Sequence, residues 1–479
     1  MTVMFWPVVI FMAISLAIGL YTYTQVRGSS ERFTVCEKSL PFIVVGTTLM
    51  AQAVDGNATL GAVSITYTGT VWAGFMISLG LALSLVVVGR FLAAPLNRMN
   101  LMTLPEFFYR RYGVRTELLV SLLTIVSFTV VIAGNLSAVA WILSVVSGID
   151  YLPALIIATV VIVTYTIAGG LYSAVWTDFF QVYVALIGFV AAAVWLLATR
   201  GAGAMLAAVP VSTVDPGALF SLKGGALINW AGVIALTFGN TMALDFMERV
   251  FAARDGRTAR NGCYYSAAMT TVIGVCVAVV ALAGVASVTH VDDSRIVLPA
   301  MAASVLPYWI GVMVFVGVLG ASMSTANGAI LVISVVLARN IVQRHRTAPM
   351  SDGLLLRLSR LLALPTAAAA ATVAWVRPEP GILLIIAFDI VFAGCVVPLF
   401  AGVYWEKANS TGAIASVVVG TTARLIAHFV TPLEWSGLDT LLPPMLSAAV
   451  FYVVCQMTAD AEPSRHAVLT DIVQEGVQA

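Results

Sequence analysis

Four side chains able to hold an ion crowd into six residues of one apolar run. Within "GASMSTANGA" (320–329), Ser322, Ser324, Thr325 and Asn327 offer three hydroxyls and an amide, in a stretch that is apolar from Trp309 to Leu337. A polar atom in hydrocarbon costs free energy unless something pairs with it. On a helix, Ser324 and Thr325 lie one turn beyond Ala321, at i+3 and i+4, so the three share a face. That face presents two hydroxyls and a carbonyl. A second source of neutral oxygen is "AQAVDGNATLG" (51–61), where Asp55, Gly56 and Asn57 interrupt another apolar run. A helix broken there would release two more carbonyls. Five neutral oxygens suit a small, hard monovalent cation and lack the carboxylates that Mg²⁺ or Ca²⁺ wants. The alternative is that the hydroxyls bond back to carbonyls at i−4. The residues alone leave both readings open.

Other chemistries find no footing. The five cysteines include no C-x-x-C and the four histidines no H-x-x-x-H pair. They read as packing, not disulfide or metal. P-loop, G-x-S-x-G and G-x-G-x-x-G patterns are absent, which argues against an integral membrane enzyme. The net charge of +1 gives no basic field for nucleic acid.

The elements that must position these groups are membrane helices. The chain is 60% hydrophobic and 10% charged, with a mean hydropathy of +1.00; soluble domains are about a quarter charged. Thirteen stretches are long enough to span the bilayer, near 3–24, 41–65, 71–96, 116–147, 151–168, 172–199, 226–249, 261–288, 306–337, 354–376, 380–404, 410–430 and 440–458. "MTVMFWPVVI" lacks the basic n-region of a cleaved signal. With the N-terminus outside, inner loops hold 19 Lys/Arg, from Arg27 to Arg465, and outer loops hold 4 (Arg200, Lys223, Arg295, Arg377). Arg424, inside a span, completes the 24. This asymmetry predicts N outside and C inside.

The seventh span repeats the interruption of the second, with Gly239 and Asn240 in "LTFGNTMALD" (236–245). Spans 2–6 and 7–11 then form two halves of five, inverted relative to each other, each opening on a helix that unwinds at mid-membrane. That is the pattern of a secondary transporter. It divides the chain into 1–40 (an extra N-terminal helix and first inner loop), 41–200, 201–405 (the two repeats), and 406–479 (two further helices and a tail).

Several stretches together resemble the sodium:solute symporter family, which includes sodium/proline and sodium/galactose symporters. They are "LMTLPEFFYRRYG" (101–113), "TIAGGLYSAVWTDFFQ" (166–181), "DFMERVFAARDGRTARNG" (245–262), "LGASMSTANGAILVIS" (319–334) and "VPLFAGVYWEKANSTGAIASVVVG" (397–420). The resemblance covers roughly residues 30–430 and implies the five-plus-five fold with one extra helix. It also implies a sodium site: carbonyls of Ala53, Gly56 and Ala321, hydroxyls of Ser324 and Thr325, and Asp178 on the sodium path. The second span departs from the family, reading "AVDGNATLG" where members often have a serine-rich stretch. Carbonyl positions carry over, because they do not depend on side chain; substrate contacts on that helix do not.

The remaining polar residues divide by position. Gln52, Asn57, Thr59 and Asn240 flank the two breaks and are the expected solute contacts. Asp55 nearby favours a solute with an amine, such as an amino acid. Asp245, Glu248 and Arg249 close the seventh span near the inner surface as ion pairs or gate contacts. Arg424 and His428 read as structural, Asp389 is undecided, and Asn135 and Tyr165 read as interhelical hydrogen bonds. The expectation is a multi-pass plasma-membrane protein, not an enzyme, coupling Na⁺ to uptake of a small polar organic solute. A proton-coupled carrier is the nearest rival, but a carboxylate in place of the ninth-span hydroxyls would mark it. A transporter-like sensor would need a signalling domain, and the tail after about 460 is too short for one.

Overall fold

The computed structural model describes residues 4–26, 28–288 and 293–459. The described chain is helical throughout its apolar stretches. In chain order the main helices are α1 (Phe5–Tyr21), α2 (Phe42–Ala53), α3 (Gly56–Thr68), α4 (Val71–Val87), α5 (Val114–Ser147), α6 (Tyr151–Arg200), α7 (Ala226–Ile234), α8 (Leu244–Ala252), α9 (Gly256–Ser287), α10 (Tyr308–Val336), α11 (Asp352–Val376), α12 (Pro380–Gly394), α13 (Val396–Tyr404), α14 (Ser410–Val430) and α15 (Leu438–Thr458).

Among the described residues, eight helices are long and apolar enough to cross a membrane, or up to ten if two pairs bent by 49° are each one span. The sequence expects thirteen, and each expected stretch is helical. The numbers differ at three places. α1 has only 17 residues. The second stretch is two short helices, α2 and α3, of 12 and 13 residues. The fifth and sixth stretches run together as the 50-residue α6. Within α6 the chain turns at Gly170 (φ 56°, ψ −139°). A side chain there would strike the Phe33 ring, so glycine serves both the backbone and the close approach.

Each expected half opens on a broken helix. Between α2 and α3, Val54 and Asp55 leave helical geometry, and Asp55 caps α3 by accepting from the Ala58 N–H at 2.8 Å. Between α7 and α8 the chain passes through a wide π turn (Ala235–Gly239) and a tight 3₁₀ turn (Asn240–Met242), and Ala243 is extended. α10 is the central element: 94% of its most apolar window is buried, and it packs between α6 and α5.

α14 and α15 pack on each other and on α12. Arg424 of α14 ties the three, with Nε 2.5 Å from Asp389 of α12 and Nη1 3.1 Å from Asp439 of α15. Thr440 also donates to Asp389, at 3.1 Å. The structural reading of Arg424 fits this geometry, and Asp389 is its partner. His428 is exposed. Arg27 and Arg465, both counted as inner charges, lie outside the described residues.

The topology is open to a direct test. Four of the five cysteines are buried, so the native background to labelling is small. Asp255→Cys is expected to react only from the cytoplasm, and Asp293→Cys only from outside. Labelling at position 255 by an impermeant maleimide on intact cells would overturn the layout.

Candidate ion and solute site

α10 aims its hydroxyls at different neighbours. Ser322 bonds back to the Val318 carbonyl at 2.7 Å, as the i−4 alternative requires. Ser324 and Thr325 reach other helices instead. Ser324 donates to the Asp178 carboxylate of α6. Thr325 donates to the Ala51 carbonyl of α2 at 3.4 Å. Ala51 belongs to the last turn of α2, whose carbonyls lose their i+4 partners when the helix breaks. Ala53, the last residue of that helix, shares this condition. Gly56 is the first residue of α3, so its carbonyl enters that helix's ladder. Gly56 itself is pressed against Ser322 and Ala138, too closely for a side chain. Ala321 is fully buried one turn before Ser324. The structure thus gathers Ser324, Thr325, Asp178 and the end of α2.

Around Asp178 lies an ion cluster. Arg249 of α8 places Nη2 3.2 Å from Asp178 and Nη1 3.5 Å from Glu248, all three side chains being wholly buried. Arg249 also donates to the Asp245 carbonyl at 3.1 Å. Gln52 stands among them. A guanidinium only donates, so the amide oxygen must face it. Gln52 then accepts from Arg249 at 2.9 Å and donates to Asp245 at 3.0 Å. Asp245, Glu248 and Arg249 are 3%, 1% and 0% exposed, and Arg249 makes the ion pairs that the sequence suggests, one of them to a different helix. Arg249 stands a few residues before "ARDGR", a polar inner loop, and its buried partner lies on a helix far earlier in the chain. Its place in the site had no local signal.

The four expected solute contacts fall into three groups. Gln52 belongs to the ion cluster. Asn57 and Thr59 belong to the cap of α3. There Asp55 accepts from Asn135 at 2.6 Å and from Asn57 at 3.1 Å, while Thr59 donates to the Asp55 carbonyl at 2.8 Å. Asn240 donates to Ser84 of α4 at 2.7 Å. The side-chain oxygens of Asn57, Asn135 and Asn240 are buried and have no donor among the described residues. Asn135 and Tyr165 make the interhelical bonds expected of them, Tyr165 to the Met323 carbonyl at 2.7 Å.

At the Thr68 end of α3 a cavity of about 470 Å³ is lined by Ser64, Thr68, Asp293, Arg295 and Glu379. Gly61 of α3 and Gly381 of α12 also line it. They meet backbone to backbone: a Cβ on Gly381 would stand 2.9 Å from the Gly61 Cα.

A family model described as "Sodium:solute symporter family" matches residues 33–420. The chain is 24% identical over 477 residues to the sodium/pantothenate symporter of Escherichia coli (strain K12), covering 97% of this chain and 98% of that one. It is 25% identical over 439 residues to high affinity choline transporter 1 of Homo sapiens, covering 87% and 75%. Among solved structures, it superposes on a Na⁺-coupled sialic acid symporter, substrate-bound and outward-open, with a TM-score of 0.81. That match has 16% identity and covers 96% of this chain and 98% of that one. At such identity the likeness speaks for the fold.

Proposed function

The chain belongs to the sodium:solute symporter family, a family of transporters, and from that membership we propose that it drives uptake of a small polar organic solute with the sodium gradient. The observation that carries this reading is the turning of Ser324 and Thr325 away from their own helix, toward Asp178 and the broken end of α2. Sodium there is held by these two hydroxyls, by carbonyls of Ala53, Gly56 and Ala321, and by Asp178 on its path. It bridges residues 41–200 to residues 201–405, read as the inverted halves. The protein lies in the plasma membrane with its N-terminus outside and its C-terminus inside. No covalent step is needed. Coupling requires only that each ligand prefer one conformation over the other.

The solute binds between the two breaks, contacted by Gln52, Asn57, Thr59 and Asn240. An amino acid is the solute class favoured. The amide oxygens of Asn57 and Asn240, without a donor among the described residues, support a ligand that brings N–H or O–H donors. Asp55 supports it less than its charge suggests, because two amides and a backbone N–H already hold that carboxylate. The relatives above are named for pantothenate, choline and sialic acid, so the solute is argued from these residues.

The test is a melting-temperature screen of the purified protein against a solute library, with and without Na⁺. A solute whose stabilisation requires Na⁺ is expected. Asn57→Ala with Asn240→Ala should then weaken that solute about tenfold or more, two lost hydrogen bonds being worth about 1 kcal/mol each. Sodium stabilisation alone should persist. Unchanged solute affinity would place the pocket elsewhere.

A further inference from the structure

Among the described residues, Arg249 is the only cation in a cluster of three buried carboxylates, Asp178 on α6 and Asp245 and Glu248 on α8. Its closest carboxylate is Asp178, which also receives the Ser324 hydroxyl. Glu248 is held more loosely, at 3.5 Å, and its other oxygen has no partner among the described residues. The Arg249 Nε is likewise unpartnered there. The guanidinium therefore has a second acceptor beside it, on its own helix, with bonding capacity to spare. Space for the present arrangement comes from α10. A Cβ on Gly328 would stand 3.0 Å from Nη2 and 3.2 Å from Nη1. Gly328 lies one turn beyond Ser324, on the same face of α10.

We infer that Arg249 is a tethered cation that competes with sodium for Asp178. Without sodium the guanidinium holds Asp178 and ties α8 to α6. A sodium ion at Ser324 and Asp178 brings a second positive charge to the same carboxylate. Repulsion moves the guanidinium to Glu248, one residue away on α8, and the tie to α6 opens. Sodium occupancy and the attachment of the second broken helix then exclude each other, and by linkage each weakens the other equally. Arg249 thus acts as a positioning residue, converting an ion at α10 into a change of contact at α8. This inference rests on the proposed sodium site at Ser324 and Thr325.

The test measures sodium-dependent melting of the full chain, with N-methylglucamine chloride replacing NaCl at constant ionic strength. Gly328→Ala crowds the guanidinium without removing a charge. Arg249→Gln with Glu248→Gln removes the competitor and leaves the formal charge of the cluster unchanged. Both are expected to lower the half-maximal sodium concentration, by about fivefold or more. The double variant should also lose the sodium dependence of solute binding. A merely structural arginine would give weaker sodium binding, not tighter. Weaker or unchanged sodium affinity in whichever of the two variants folds overturns the exchange. Ser324→Ala with Thr325→Ala separates the two claims. If that variant loses its sodium response while the others match the parent, only the exchange fails. If it keeps the parent's response, the sodium site is misplaced and the exchange falls with it.

Discussion

Replacing Ser324 and Thr325 together with alanine is expected to weaken sodium binding at least about tenfold. Each hydroxyl contact contributes on the order of 1 kcal/mol or more, and a factor of ten corresponds to about 1.4 kcal/mol. The geometry adds to this loss. Ser324 spends its one proton on Asp178, so its removal leaves that carboxylate freer to hold Arg249. The backbone cost is small, since alanine is the best helix former. Neither hydroxyl bonds back within α10, as Ser322 does. Sodium dependence of melting or of uptake is the measurement. A variant with the parent's sodium dependence would move the ion site away from α10.

The second large effect is expected at the Gly61–Gly381 contact. Gly61→Leu places a side chain where α3 meets the backbone of α12. Neighbours that are side chains can rotate away; a backbone cannot. Overpacking typically costs about 1–3 kcal/mol, and a contact between two backbones belongs at the upper end, about a hundredfold in population. If the transport cycle requires this contact, uptake should fall by about that factor. Sodium-dependent melting should stay, because Gly61 stands beyond Gly56 along α3 by about 7.5 Å and meets α12, not α10. Uptake near the parent's level would show that the two helices need not close here.

How much of this was legible in the sequence depends on how far apart the partners lie. Span length is local, and so is a break carrying both Asp55 as a cap and Gly56 after it. The face shared by Ala321, Ser324 and Thr325 follows from helical spacing. The resemblance supplied what spacing left open, the preference for an ion over an i−4 bond. The ion pair of Arg249 is foreshadowed by Asp245 and Glu248 beside it, but its partner Asp178 lies on α6, beyond the reach of any local pattern. Gln52 flanks the break, and the fold turns it toward Asp245 and Arg249, partners that the spacing of α2 does not name. Asn240 stands at the break of the seventh span, and its amide N–H reaches Ser84 of α4, a partner that no local spacing names. A side chain's reach across helices is set by packing, and no periodicity in one segment encodes it.

The link from Arg424 to Asp389 and Asp439 has a consequence for biogenesis. An arginine at the centre of a membrane helix raises the insertion free energy by about 2.5–3.5 kcal/mol. Arg424 stands well inside the 21-residue α14. Its first partner, Asp389, belongs to α12 and leaves the ribosome before it; the second, Asp439, opens α15 and comes after. The growing chain thus makes the acceptor before the charge that needs it. α14 can enter the bilayer against a carboxylate already in place, and α15 then closes the pair from the other side.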